Sequence, residues 1–425
     1  MEHAMPAGDK PRLPPSPILD RLDPLASRVL TQVVRIAEEE GLEPYLVGGI
    51  VRDLFLRLSS QDVDLVMEGD AVAFARRLAG QLGARLVSHH RFGTATLLVH
   101  GMTLDLASAR TESYPRPGAL PVVRAGTLEQ DLERRDFTIN AMALCLAPSR
   151  YGDLVDPLGG MEDLRLGVVS AIHEKSFVDD ATRLLRAVRY EQRFGFRLGS
   201  ETESLLRRET RMLSTISGDR IRHELERIFQ EKRPERCLDR ASSLDILQAI
   251  HPALRWEPWM TEAVRSAEGG GELSAPVLAA LMVYRMEAGQ MGQVFERLRF
   301  PGTWQVAAQE ASHLAAELTG LARPGLRPSQ LYNALRPYGA EAIHTCRLAT
   351  GSPIIRGRLG EYLESLRDVR PLLTGEDVIR LGVPRGPAIG ATLDTLRQAR
   401  LDGVAATRED EETLVRRRLA APASE

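Results

Sequence analysis

The stretch YLVGGIVRDLFLRLSSQDVDLVMEGD, residues 45–70, packs a strand, a glycine pair, a helix with an Arg-Asp step and a strand with two aspartates into one short unit. The apolar run ending at Gly48 and Gly49 reads as a strand that breaks into a helix at IVRD. Such a turn sets backbone N–H groups at a helix N-terminus, where glycine lets a phosphate approach closely and the helix dipole favours its charge. Arg52 is placed to add a bidentate contact. On its own the G-G-x-x-R pattern is an ordinary strand-to-helix turn. Asp62 and Asp64 change that reading, because residues i and i+2 of a strand share a face. Two carboxylates side by side repel unless a cation lies between them, and Mg²⁺ bound by one or two carboxylates plus substrate phosphates is the usual solution. Two metal ions held this way activate a hydroxyl and steady a leaving pyrophosphate. A lone D-x-D would be a solvated edge strand; about ten residues after a phosphate turn it reads as a cation site.

Outward from this unit, PLASRVLTQVVRIAEEE has helical periodicity and stops at Gly41, and residues 1–24 read as a flexible arm. After it come a helix over 70–82 and strands near ARLVSHH, TATLLVH and MTLDLAS, giving an α/β or α+β unit that ends near residue 165. Beyond it strand patterns vanish, and amphipathic stretches such as DDATRLLRAVRYEQRF, DRIRHELERIFQ, APVLAALMVYRMEAG and PSQLYNALRPYG predict helices to the end. The glycines at 269–271 and RPGLRP at 323–328 read as linkers.

At 425 residues the chain is long for one core and predicts two to four domains. It is 43% hydrophobic and 27% charged with a net charge of −3, so a nucleic-acid partner must be held by local patches. No apolar run reaches the roughly 18 residues of a membrane span. No export signal is read at the N-terminus, and Cys145, Cys237 and Cys346 are widely spaced without C-x-x-C, so a reducing cytoplasm is expected, with no disulfide frame or zinc site. Lysine occurs only at positions 10, 175 and 232; the arginine bias suits phosphate contacts, but a GC-rich genome explains it equally.

Three further stretches carry chemistry. Asp105 in MTLDLAS is either a third carboxylate or a turn cap. In LERRDFTINAMAL, two arginines and Asp136 precede an apolar, helix-like run; Arg135 beside a sugar or triphosphate, held by Asp136, is one reading, and a charged helix start the other. In FVDDATRLLRAVRYEQRFGF, Asp180, Arg183, Arg186 and Arg189 share a helix face. An Asp and an Arg three apart suit the Watson-Crick edge of a base, with a surface ion pair on a solvated face as the alternative. Residues 181–240 hold 15 Arg and Lys against 10 Asp and Glu, a basic excess fit for a polyanion.

These motifs, in this order over roughly residues 42–230, resemble the class II tRNA nucleotidyltransferases, the CCA-adding and A-adding enzymes, with bacterial poly(A) polymerases as close relatives. The resemblance implies an α+β, multi-domain chain: a nucleotidyltransferase α/β head with a mixed sheet (25–165), then all-helical neck (166–240), body (241–365) and tail (366–425) in an elongated arrangement. It implies triphosphate binding by Gly48, Gly49 and Arg52, and catalytic Mg²⁺ on Asp62 and Asp64. It further implies nucleotide and ribose contacts from Arg135 and Asp136, and base reading by Asp180 and Arg183 with Arg186 and Arg189 assisting. Asp179 stands where many members have Glu.

The expected partners are tRNA, through its acceptor arm and 3′ end, with ATP and possibly CTP as nucleotides; no membrane and no protein partner are expected. DLASARTESYPRPGALPVV looks like the family's flexible loop, which argues against a CC-only enzyme. HRFGTATLLVH follows the tRNA-enzyme pattern, and the absence of any His-Asp step predicts no phosphohydrolase module. Gly382, Gly386 and Gly390 could present N–H groups to tRNA phosphates, or form a packing turn. The alternatives are a poly(A) polymerase, an inactive RNA-binding relative and an antibiotic-type nucleotidyltransferase.

Overall fold

The computed structural model describes residue 16 and residues 19–59, 62–89, 93–267 and 273–420. The glycines at 269–271 and the first three residues of HRFGTATLLVH lie outside them. The chain divides into two compact units, Met1–Glu224 with Ser243–Ala249, and Leu225–Ser242 with Ile250–Glu425.

The first unit opens with α1 (Pro24–Glu40), which Asp23 caps by accepting from Leu25 N and Gly41 closes in the left-handed conformation. Of the stretch read as an arm, Ser16 and Leu19 are buried, and a 3₁₀ turn spans Leu19–Arg21. A seven-stranded mixed sheet follows, built from β1 (Pro44–Val47), β2 (Asp62–Met67), β3 (Arg85–His89), β4 (Thr94–Val99), β5 (Met102–Ser108), β8 (Ala143–Cys145) and β9 (Leu154–Val155) in the order β3-β4-β5-β2-β1-β8-β9. The β2–β5 pair is parallel, while β1 runs antiparallel to both its neighbours. Every residue of β1 is buried, as a near-continuous apolar run on an inner strand requires. Helix α2 (Gly49–Leu56) follows β1, and α3 (Ala71–Leu82), capped by Asp70, follows β2.

Two elements differ from the periodicity. The apolar run after Asp136 is not a helix: it makes a 3₁₀ turn over Thr138–Asn140 and then enters the sheet as β8 beside β1. Its short length and buried setting decide for a strand, which periodicity alone could not. The loop-like stretch after β5 forms an antiparallel hairpin of β6 (Arg110–Ser113) and β7 (Val122–Ala125), leading to α4 (Leu128–Glu133).

Past α5 (Gly160–Leu166) the chain makes a two-residue parallel pair, β10 (Val168–Val169) with β11 (Arg197–Leu198), so strands do not end at 165. Helices α6 (Ser176–Asp179), α7 (Thr182–Phe194), α8 (Ser200–Glu209) and α9 (Gly218–Phe229) follow. Phe137, fully buried beside the sheet, meets the Tyr190 ring of α7 edge-on at 5.8 Å.

The second unit is helical. Its helix Ala275–Val283 is buried at every residue from 277 to 283, so it is a central helix apolar all round rather than the amphipathic one expected. One core gathers Leu314, Leu331, Leu335, Ile343 and Leu359, and Leu373, Val378, Val383, Leu396 and Val415 form another. Gly382 and Gly386 take positive φ at the entry to the helix Pro387–Leu401, and Gly390 lies within it. No described helix is long and apolar enough to cross a membrane.

Candidate active site

The turn after β1 is built on a glycine-only conformation. Gly48 has φ 75° and ψ −132°, and its N–H donates to Met142 O at 3.3 Å. A Cβ there would stand 2.6 Å from Arg135 Nη1, so the glycine also admits that guanidinium over the turn. Gly49 opens α2, and Arg52 lies one turn further in. Arg52 is buried: Nε and Nη2 donate to Asp53 Oδ1 at 2.9 and 2.8 Å, and Nη1 donates to Asn140 Oδ1. Its guanidinium also lies 4.6 Å from the Phe194 ring centroid and 5.2 Å from that of Tyr190, both on α7. Three of its five N–H groups are thus committed to Asp53 and Asn140, and Nη2 lies 3.5 Å from where a Cβ on Gly49 would stand.

The carboxylates line the neighbouring strand. The parallel register sets Asp62 beside Thr103 and Asp64 beside Asp105. Asp105 is therefore no turn cap: it sits mid-strand next to Asp64, and accepts a hydrogen bond from Thr96 Oγ1 of β4. The Asp64 carboxyl is pushed up to about 6, by burial first; Arg135 pulls it down, while Asp105 and Asp62 raise it further. Hard oxygen donors crowded until one resists ionising are a fitting setting for Mg²⁺. Among the described residues no three His, Cys, Asp or Glu side chains cage an ion by themselves.

The arginines at 134 and 135 are anchored from α4, which a Thr127–Gln130 capping box starts. Asp131, fully buried, accepts from Arg134 Nε and Nη2 at 2.9 and 2.7 Å and from Arg135 Nη2 at 2.9 Å. This corrects the expectation that Asp136 holds Arg135. Three- and four-residue spacing brings Asp131 beneath both arginines, whereas adjacent side chains diverge. Asp136 turns the other way, accepting from Asn140 Nδ2 at 2.9 Å and from Arg186 Nε and Nη2 at 2.9 and 2.6 Å. Burial alone would raise its pKa, but Arg186 and the Asn140 hydrogen bond hold it below the usual carboxylate value.

Of the four residues expected on one helix face, Arg183, Arg186 and Arg189 lie on α7, whereas Asp180 precedes it in extended backbone. Arg183 is buried, donating to Ser176 Oγ at 2.7 Å and to Arg134 O at 2.6 Å. Arg189 is buried near Glu224, and Arg186 also donates to Tyr190 Oη at 2.9 Å. This is no solvated face. Asp180 accepts from Thr182 N and Oγ1, and its ionic partner is Arg220 of α9 at 2.7 Å, not Arg183 three residues on. Arg220 reaches Gly118 O of the β6–β7 loop as well, at 3.4 Å. Asp179 lies 3.9 Å from His173.

The structure thus draws Gly48 and Arg135 together over the turn, Asp62, Asp64 and Asp105 onto one sheet face, and Arg52, Asp136 and Arg186 into one network. Asp131, Asn140, Arg220 and the ring face of Tyr190 and Phe194 were not foreseen. Helical spacing from Arg135 could have indicated Asp131; Arg220, forty residues from Asp180, carries no local signal.

The chain is similar to known proteins along most of its length. Residues 44–170 match the family described as "Poly A polymerase head domain", and residues 195–257 the one described as "Probable RNA and SrmB- binding site of polymerase A". The A-adding tRNA nucleotidyltransferase of Halalkalibacterium halodurans is 33% identical over 389 residues, covering 90% of each chain. That of Geobacter sulfurreducens is 34% identical over 409 residues, covering 90% of this chain, which spans about half (46%) of the Geobacter protein's length. Among solved structures, the Thermotoga maritima CCA-adding enzyme complexed with tRNA superposes with a TM-score of 0.78 at 31% identity, covering 95% of this chain and 97% of that one. One-third identity sustained along nine-tenths of both chains goes beyond a shared fold, and the chain belongs to the class II tRNA nucleotidyltransferases.

Proposed function

We infer that this chain adds nucleotides to the 3′ end of tRNA without a nucleic-acid template, using ATP, or CTP and ATP, and releasing pyrophosphate. The product is the terminal A or the whole CCA. The observation that carries this reading is the Asp62–Asp64–Asp105 face beside the Gly48 turn, with Arg135 reaching toward both. The full-length likeness to tRNA enzymes supports it and sets a poly(A) polymerase second. An inactive RNA-binding relative would have no reason to keep carboxylates that repel one another.

In this reading the 3′-oxygen of tRNA bonds to the α-phosphorus as the bond to pyrophosphate breaks. Asp62 and Asp64, with Asp105 beside them, would hold Mg²⁺, which when bound lowers the hydroxyl's pKa and neutralises the leaving pyrophosphate. Gly48 and Gly49 open the backbone of α2 to the triphosphate, with Arg52 beside Gly49 and Arg135 beside Gly48. Asp180 and Arg183 read the base edge; Arg186 and Arg189 hold that helix to Asp136 and Glu224. The division into head (25–165), neck (166–240), body (241–365) and tail (366–425) goes with this reading, the last three carrying the acceptor arm.

The test incubates the protein and Mg²⁺ with two transcripts of one tRNA, one ending at the discriminator base and one in CC, each with CTP, ATP or both. Three nucleotides added to the first make it a CCA-adding enzyme; one A added only to the second makes it A-adding. Extension of unrelated RNA by many A residues would replace this reading with the poly(A) one, and no Mg²⁺-dependent extension would end it.

A further inference from the structure

Asn140 has no part in the reaction as assigned above, yet it lies where two parts of the site meet. It is buried at the end of the 3₁₀ turn after Asp136. Its Oδ1 accepts from Arg52 Nη1, and its Nδ2 donates to Asp136 Oδ1 at 2.9 Å. The partners dictate that orientation, since a guanidinium has only donors and an ionised carboxylate only acceptors. A side-chain amide is the group of this size that satisfies both at once. Asp136 then takes the Arg186 guanidinium on its other oxygen. One hydrogen-bonded line therefore runs from α2, beside the glycine turn, to α7, the helix that follows Asp180. The stacking of Arg52 on Phe194 and Tyr190 closes the same two helices a second time.

We propose that Asn140 is a positioning residue that fixes the triphosphate turn and the base-reading helix in register. It acts through Arg52 and through Asp136 with Arg186, and touches neither nucleotide nor tRNA. The proposal rests on the reading of Gly48 and Gly49 as the triphosphate turn and of Asp180 and Arg183 as the base readers. With no template strand, the base is selected only if these two protein elements hold a fixed separation, and a displacement of about 1 Å costs reactivity roughly 10²-fold.

The experiment compares Asn140→Ala, Asn140→Ser and Asn140→Asp with the unaltered chain, measuring kcat and KM for ATP, for CTP and for tRNA. Asn140→Ala is expected to lower nucleotide kcat/KM by roughly 10–100-fold and to narrow the ATP-to-CTP preference, with the KM for tRNA within about twofold. Asn140→Ser keeps a group that can donate and accept, and should recover part of both losses. Asn140→Asp can accept from Arg52 but sets a second carboxylate against Asp136, and should be the most impaired. Where a variant folds poorly, the ATP-to-CTP preference and the KM values decide, because neither depends on the active fraction. Equal losses in all three variants with the preference unchanged, or near-normal behaviour of all three, would overturn the proposal. Failure of the unaltered chain to extend either transcript would instead remove the functional reading beneath it.

Discussion

The sheet face and the α2–α7 network use the same residue types to opposite ends. On the sheet, Asp62, Asp64 and Asp105 share one face, and the Asp64 carboxyl rises to about 6 through burial and its two acidic neighbours, against the pull of Arg135. In the network, Arg52 is bound to Asp53 and Asn140, and Arg186 to Asp136, whose carboxyl is held below its usual value. The difference teaches how to read buried charge. A carboxylate raised by burial and by acidic neighbours, as Asp64 is, is the setting in which we propose that a cation and a phosphate bind. Charges that satisfy one another are scaffold, and their worth lies in what they hold still.

The sharpest way to break this contrast is Asp64→Ala. Incorporation should fall on the order of 10²–10³-fold or more, while the melting temperature stays level or rises, because a repelling carboxylate has gone. A drop in stability without loss of turnover would reverse the assignment. Asp136→Ala should do the opposite to stability, lowering the unfolding free energy in urea by about 1–3 kcal/mol, since the buried Asn140 amide and the partly buried Arg186 lose their acceptor. The pH dependence sharpens that test. The folded pKa of Asp136 lies below its unfolded value, so its contribution is fully present above about pH 4 and fades as the pH falls through the lowered folded value. The stability of the unaltered chain should therefore decline more steeply below about pH 4 than that of Asp136→Ala.

Arg220→Ala tests the border between the two kinds of cluster, because Arg220 holds Asp180 at 2.7 Å with both side chains about a quarter exposed. The ATP-to-CTP preference should fall about tenfold, with a stability change within about 1 kcal/mol, as for a partly exposed pair; an unchanged preference would make the pair structural only. The smallest effect on nucleotide addition belongs to Gly118→Ala in the β6–β7 loop. Gly118 has φ 73°, and its Cβ would meet Thr215 O at 2.3 Å. The loop should shift off Thr215 at a cost of about 1–3 kcal/mol locally, seen as faster proteolysis near residue 118 with global melting little changed.

The glycine turn, the D-x-D strand and the Gly41 stop of α1 were legible because each is decided within a few residues. An apolar run ends at a glycine pair, two aspartates alternate on a strand, and a glycine closes a helical run. The run after Asp136 misled because a short apolar segment has no length with which to separate helix from strand. Asp105 stayed ambiguous for a related reason: its neighbour Asp64 lies on another strand, and only the β2–β5 register sets them side by side. Pairing Arg135 with Asp136 failed because Arg135, just past the end of α4, reaches back to Asp131 inside that helix, while Asp136 accepts from Asn140 and Arg186.

The sequence by itself determined the local chemistry: a backbone opened by Gly48 and Gly49, carboxylates on one strand face, and a helix loaded with arginine. Backbone sterics and side-chain periodicity act over a few residues and need no knowledge of the rest of the chain. Tertiary structure alone decided which arginine meets which acceptor, joining Arg52 to Asn140 across 88 residues, Arg186 to Asp136 across 50 and Arg220 to Asp180 across 40. Ion pairs and buried amides are short-ranged in space and indifferent to distance along the chain, so only the packing of α2, the 3₁₀ turn, α7 and α9 could choose among them.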